Sequence, residues 1–178
     1  MRLEKENKAP LFAKEDFLGN QIDLFHFKGK KILISFFRGA SCPFCNLRVH
    51  ELIKNSRVFE EKGLVIIAFF SSSKEEIRKY TAKQNPPFSV IPDPGFSIYK
   101  KYGAESSVWG MFKAMMRIGA MFKLMTGGFF NLKTITDKPT LPADILIDEE
   151  LVIHKAYYGS DYGDHISLGT IQQWLNNK

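Results

Sequence analysis

Residues 31–45 read KILISFFRGASCPFC, a stretch that brings an apolar run directly up to both cysteines of the chain, Cys42 and Cys45. Lys31–Phe37 is rich in β-branched and aromatic side chains, the pattern of a strand buried on both faces. Arg38–Ser41 make a turn, and Pro43 opens a helix that runs to about Lys62 and stops at Gly63. Leu47, Leu52, Ile53 and Phe59 are the candidates for its buried side. A buried strand feeding a helix through a short turn is the start of an α/β fold.

The same alternation continues outward. Leu64–Phe70 (LVIIAFF) reads as a second buried strand. Ser73 with Glu76 forms a capping box that opens a helix to about Gln84, and Pro86 and Pro87 stop it. Phe88–Ile91 is short and strand-like, and Pro94 to Tyr102 is a short helix closed by Gly103. Upstream, residues 8–30 alternate short apolar pieces with turn signals at Gly19-Asn20 and Lys28-Gly29, which predicts a small hairpin. Downstream, Ala143–Ile147 and Val152–Tyr158 flank a turn at residues 148–150 and predict a second hairpin, and Ser167–Leu175 closes the chain as a helix. The expected fold class is α/β, with a mixed central sheet covered by helices on both faces. The expected organisation is one domain over 1–178, with an insertion at about 106–140 ahead of the last hairpin.

Within that insertion, residues 106–125 interleave Met111, Met115, Met116 and Met125 and the aromatics with Lys113, Arg117 and Lys123. A core-covering helix is the first reading. A Met-rich face is adaptable enough to serve a partner or a homodimer contact; a membrane-surface helix ranks below both.

Composition sets the outer limits. A chain of 178 residues is long enough for a full core, and 44 % hydrophobic with 25 % charged residues is ordinary for a soluble domain. The 16 phenylalanines point to an aromatic-rich core or an extra apolar surface. The net charge of +6 is scattered, without the basic block that marks a nucleic-acid arm. The N-terminus carries both signs of charge and no apolar core of a secretory signal, and no apolar run reaches membrane-spanning length. Two cysteines cannot form a disulfide scaffold, so the expected setting is a reducing cytoplasm.

The chemistry is therefore sought in Cys42 and Cys45. Cys42 falls at the N-cap of the helix that Pro43 opens, where unpaired backbone N–H groups and the helix dipole favour a thiolate. Arg38 and Arg48 are placed to add positive charge. Cys45 lies one turn further along the same side, close enough for a short-loop disulfide and more sheltered. This spacing predicts Cys42 as nucleophile and Cys45 as resolving thiol. A zinc site needs about four ligands, there is no second cysteine pair, and His50 would swing to another helix face. Two inert buried thiols are also compatible with the spacing, although Pro43 at the helix mouth favours redox use. No Gly-rich phosphate loop is present, so no nucleotide or flavin cofactor and no metal is expected. Pro142 stands just before the strand at 143–147, a usual place for a cis peptide. His165 is of a kind more often structural than acid–base, and His26 and His154 read as ordinary positions. Of Tyr157 and Tyr158, alternation puts one in the core.

With these residues in view, the chain resembles the peroxiredoxins of the alkyl hydroperoxide reductase C and thiol-specific antioxidant (AhpC/TSA) family, within the thioredoxin-fold superfamily. The likeness rests on the opening APLFAKEDFLGNQIDLFHFKGKKILISFF, on RGASCPFCNLRVHEL, and on PADILID followed by YYGSDYGDH. The last two resemble a subgroup carrying Cys-Pro-x-Cys. The resemblance implies that Cys42 matches the peroxidatic cysteine, Cys45 the second cysteine of thioredoxin, and Pro142 its cis-proline. Two departures stand out. The family's loop carries Pro-x-x-x-Thr-x-x-Cys, and this chain has Ser35 and Gly39 at the proline and threonine positions. The family's late-strand arginine falls where this chain has Pro142 and its neighbours. Backbone N–H groups, Ser41 and Arg38 are left as candidate donors to a peroxide. The expected activity is an antioxidant thiol oxidoreductase acting on a hydroperoxide or a disulfide, reset by a thioredoxin- or glutathione-type reductant. The alternative is a redox sensor or partner-binding module without turnover.

Overall fold

The computed structural model describes residues 2–104 and 139–177, so the Met-rich segment and the loop after it lie outside the described residues. Strands β1 (Ala13–Glu15) and β2 (Gln21–Asp23) pair antiparallel as the expected N-terminal hairpin. The central sheet holds five strands in the order β5-β4-β3-β6-β7: β3 (Lys31–Phe37), β4 (Leu64–Phe70), β5 (Ser89–Pro92), β6 (Ala143–Ile147) and β7 (Ile153–Tyr158). Strands β3, β4 and β5 run parallel, and β6 and β7 join them antiparallel, which makes the sheet mixed. Among the described residues the α-helices are α1 (Pro43–Glu61), α2 (Lys74–Lys79), α3 (Ser97–Lys101) and α4 (Leu168–Asn176). No helix among the described residues is long and apolar enough to cross a membrane.

The unbroken apolar runs of β3 and β4 are explained by burial on both sides. Leu33, Phe37, Ile66 and Phe70 face α1 and α4, where Leu52, Phe59 and Trp174 meet them. Ile34, Phe36, Ile67 and Phe69 face the other way, toward α3 and the N-terminal hairpin. The parallel register pairs Phe36 with Phe69 and Phe37 with Phe70. Both pairs stack, with ring centroids 5.2 and 4.8 Å apart. Such contacts contribute roughly 0.5–1.5 kcal/mol each beyond area burial, and they stiffen the strand ends that launch the loop at 38–42. Much of the phenylalanine content is spent here.

Several boundaries differ from expectation for tertiary reasons. The helix expected from Ser73 to about Gln84 keeps its capping box, with the Ser73 hydroxyl accepting from Glu76 N and the Glu76 carboxylate accepting from Ser73 N. It breaks at Tyr80, however, and Thr81–Gln84 tightens into a 3-10 turn. That turn brings Thr81 Oγ1 to Ala40 O (3.5 Å) and Gln84 Nε2 to Asn46 Oδ1 (3.1 Å), contacts a continued helix would not be free to make. Helix α3 begins later than expected because Asp93 caps it, accepting from Ser97 N and Ile98 N. On α1, Leu52 and Phe59 are buried while Leu47 and Ile53 are half-buried. Tyr157 and Tyr158 are both half-buried, on opposite faces, rather than one in the core and one outside.

A charged network sits in the α1 layer. Asp144 pairs with Ser35 in the β3–β6 register and is fully buried. Its carboxylate accepts from Ser35 Oγ (2.6 Å) and Ile166 N (2.8 Å), and His165 Nδ1 lies 3.0 Å away. Arg48 on α1 donates to Ile166 O at 2.8 Å and faces Glu51 at 3.6 Å. Burial alone would push the Asp144 carboxyl up, but His165, Arg48 and Ser35 together hold it below its ordinary value of 3.8. A carboxyl with a lowered folded value contributes stability above its unfolded value, and loses it as pH falls through the lower folded value. The network ties β3, β6, α1 and the loop before α4 into one frame. Removing one member strands the others in a dry interior, so Asp144→Ala is expected to lower unfolding free energy by about 3–5 kcal/mol at neutral pH. Urea unfolding checks this, and a loss below about 1 kcal/mol would mean that the network does not hold the frame.

Candidate active site

The loop after β3 is shaped by its own backbone and by two neighbouring polar side chains. Cys42 N donates to Gly39 O (3.0 Å), closing the turn, and Ser71 N donates to Arg38 O (3.2 Å) across from β4. Ala40 N donates to Ser72 Oγ at 2.9 Å. Asn46, in the first turn of α1, reaches back to donate to Ala40 O (2.7 Å) and Cys42 O (3.0 Å). Gln84 then holds Asn46 in place. Pro43 occupies the first helical position and Cys42 the N-cap, with extended backbone (φ −68°, ψ 123°), as the sequence predicts.

Cys42 and Cys45 are free thiols, 0 % and 1 % exposed. The sequence reading makes Cys45 the more sheltered of the two, but burial does not distinguish them. Charge does. Cys42 is lowered to about 7, first by the hydrogen bond it accepts from the Cys45 thiol, and further by the N–H groups of Cys45 and Phe44 and by the Arg38 charge, all against the effect of burial. Cys42 makes no side-chain capping hydrogen bond to α1. Cys45 is pushed well up, first by burial and then by its bond and proximity to Cys42. One sulfur at a helix mouth becomes an anion near neutrality and its neighbour keeps a proton for it.

The other residues singled out from the sequence fall in different places. Arg38 is buried at the end of β3, its guanidinium 4.6 Å from the centre of the Tyr162 ring. Ser41 is buried beside Cys42 in the turn. Arg48 belongs to the Asp144 network instead of the sulfurs. Pro142 sits at the same edge of the sheet as the cysteine loop, since Ala143 pairs with Phe36. Every described peptide bond is trans, the Leu141–Pro142 bond included, so the cis expectation is not met. The chain enters β6 directly, and Pro142 O accepts from Gly159 N at 2.9 Å. His165 lies against Asp144 and 5.0 Å from the Phe37 ring, with Nε2 buried and without a hydrogen-bond partner among the described residues. His154 stacks on Trp174, and His26 is exposed on the 3-10 turn Leu24–Phe27.

Asn46, Gln84, Ser72 and Tyr162 are absent from the sequence reading. Asn46 carries a usable signal, a small amide in the first turn of the helix bearing the cysteines, one of the residue types that bond backbone at helix starts. Gln84 and Ser72 reach the site only through tertiary folding.

Comparison with known proteins agrees with this geometry. The family model described as "AhpC/TSA family" matches residues 6–156. Peroxiredoxin Bcp of Escherichia coli strain K12 is 24 % identical over 102 residues, covering 57 % of this chain and 63 % of that protein. Among solved structures, the peroxidoxin BcpB of Mycobacterium tuberculosis superimposes with a TM-score of 0.69 at 10 % identity, covering 98 % of this chain and 94 % of that one. The thioredoxin domain of thiol-disulfide oxidoreductase BVU-2223 from Bacteroides vulgatus gives 0.63 at 20 % identity, over 98 % and 99 %. At those identities the structures speak for a thioredoxin-like fold, and the family model speaks for descent. Matched by that family model over most of its length, the chain belongs to the AhpC/TSA family of peroxiredoxins and is a thiol-dependent oxidoreductase.

Proposed function

We propose that this protein reduces hydroperoxides through a Cys42/Cys45 dithiol–disulfide cycle. The observation that carries the reading is Cys42 at the N-cap of a helix opened by Pro43, with Cys45 one turn along it and both thiols buried; in that setting the Cys42 thiol is lowered to about 7 and Cys45 is raised. The Cys42 thiolate attacks the terminal oxygen of ROOH. The O–O bond breaks, the alkoxide takes a proton and leaves as ROH, and Cys42 becomes a sulfenic acid. Cys45 then attacks the Cys42 sulfur, its proton goes with the departing hydroxide as water, and a disulfide closes. One thioredoxin-type dithiol, or two glutathione-type monothiols, supplies two electrons and two protons to reopen it. Arg38 and Ser41, with the loop N–H groups, are the donors that face the peroxide oxygens. Both sulfurs are closed to solvent in the reduced protein, so substrate reaches Cys42 only when the surrounding loops part.

Magnitudes show what the lowered value supplies. At pH 7 an ordinary cysteine of about 8.5 is roughly 3 % thiolate, against about half for a group at 7, a gain of about fifteenfold. Reduced nucleophilicity takes back about fivefold. A net factor of about three is small beside what a peroxidase needs, so most acceleration falls to Arg38 and the loop donors acting on the breaking O–O bond.

A second reading, disulfide reduction, is favoured by the one-turn spacing of the two sulfurs. Attack of Cys42 on a substrate disulfide forms a mixed disulfide and expels one substrate thiolate. Cys45 displaces the second. Relatives named peroxiredoxins support the first reading over this one.

Steady-state turnover with a hydroperoxide and, separately, a small disulfide separates the two. Wild type is expected to turn over hydroperoxide. Cys42→Ser should lose at least about a thousandfold, and Cys45→Ser should consume one equivalent and stall at the sulfenic acid. Peroxide turnover surviving in Cys42→Ser would refute the assignment. Turnover of the disulfide alone would make the protein a disulfide reductase, and none with either substrate would make it a sensor. The single-turnover rate with peroxide should also rise with pH through about 7 and level off above it, because the thiolate is the reacting form. A midpoint near the ordinary cysteine value of about 8.5 would contradict the unequal pair.

A further inference from the structure

The loop joining β7 to α4 is built to a fixed shape. Gly159 N donates to Pro142 O at 2.9 Å. A Cβ at Gly159 would come within 2.2 Å of Asp164 O and 2.8 Å of Pro142 Cγ, so no side chain fits there. Asp164 accepts from Tyr157 OH (2.6 Å), Ser160 N (2.8 Å) and Ser160 Oγ (2.9 Å). Asp161 accepts from Gly163 N at 2.8 Å. The residue at the apex of these bonds is Tyr162, 3 % exposed, whose ring faces the Arg38 guanidinium at 4.6 Å.

We propose that Tyr162 is a positioning residue that clamps the Arg38 guanidinium against the Cys42 sulfur through its ring face, and that the Pro142–Gly159 contact sets the height of the clamp. The inference rests on the reading of Cys42 as the reacting thiol. An arginine side chain has several rotatable bonds and, left alone, turns its charge toward water. A tyrosine face attracts the cation through its quadrupole and excludes water from it. At a desolvated position this attraction is worth up to about 2 kcal/mol, enough to select one arrangement among several. The electrostatics agree with the geometry: the Arg38 charge acts on both sulfurs, and both sulfurs act on Tyr162. Among the described residues, the titratable and charged groups near the pair include Arg38 from just after β3, Tyr162 and the buried Asp161 beside it in this loop, and Tyr99 of α3, which is within electrostatic reach of Cys45. Pro142 contributes as the wall on which the loop closes.

The test titrates the thiolate of the fully reduced protein by its ultraviolet absorbance, which needs no access for a reagent and no turnover. Tyr162→Leu is expected to raise the Cys42 midpoint from about 7 by about one pH unit, and through that shift to slow hydroperoxide reduction at pH 7 about twofold. Tyr162→Phe, which keeps the ring, should restore the wild-type profile. Tyr162→Met is a second ringless variant of similar length, should Tyr162→Leu not fold. In an Arg38→Met background, removing the ring should move nothing further, since the clamp has lost its cation. An equal rise with and without Arg38, a Tyr162→Phe that behaves like Tyr162→Leu, or a midpoint that stays put would each overturn the proposal. If the wild type does not turn over hydroperoxide but the titration follows this pattern, the peroxidase reading falls and the clamp stands.

Discussion

The site depends on the placement of Cys42 at the N-cap of α1 with Cys45 one turn along the same helix, where neither sulfur meets water. In an apolar interior two thiols would both stay protonated, because burial penalises each anion. Cys42 escapes this because the neighbouring Cys45 thiol favours its anion, while burial and the proximity of Cys42 keep Cys45 protonated. The loop N–H groups and Arg38 then favour the same anion. Every other feature of the molecule bears on keeping these sulfurs in register. Strand β3 ends stacked against β4, Asn46 and Gln84 hold the turn, and the Asp144 network pins the second turn of α1 to the sheet.

This arrangement places charge unusually deep. Asp144, Arg48 and Arg38 lie in or near the layer between the sheet and α1, with the His165 ring against Asp144, in an otherwise largely apolar layer. Replacing such a network by apolar residues would often leave a protein as stable or more so. What the charges provide here is direction. Arg48 meets a backbone carbonyl of the loop before α4, Asp144 joins the strand that follows Pro142, and Arg38 meets the loop between the two. The sheet edge, the cysteine helix and the loop bearing Tyr162 are therefore held by polar bonds that tolerate only one relative placement.

Much of this is legible in the sequence, and the boundary of legibility is physical. Lys31–Phe37, Leu64–Phe70 and Ala143–Ile147 coincide with their strands because buried strands declare themselves by composition. Ser73 with Glu76, and Cys42 followed by Pro43, are local motifs whose bonds close within four residues. Contacts that close over longer distances are silent. Nothing near Tyr80 foretells that the helix gives way so that Gln84 can reach Asn46, a contact 38 residues apart. Asp144 within ADILI looks like an interruption of a strand until Ser35 is found opposite it, 109 residues earlier. Arg48 sits close to the cysteines in sequence but its bonds go to Ile166, and Arg38 finds its ring in a loop more than a hundred residues away.

The division of labour between two equally buried thiols is the centre of this account, and residue-resolved titration addresses it most directly. Reduced protein labelled with carbon-13 at the cysteine Cβ reports each thiol separately by nuclear magnetic resonance as pH is raised. The account predicts that Cys42 titrates at about 7, while Cys45 remains a thiol beyond the ordinary cysteine value of about 8.5. Cys45 ionising first, or both thiols titrating together near the ordinary value, would contradict it.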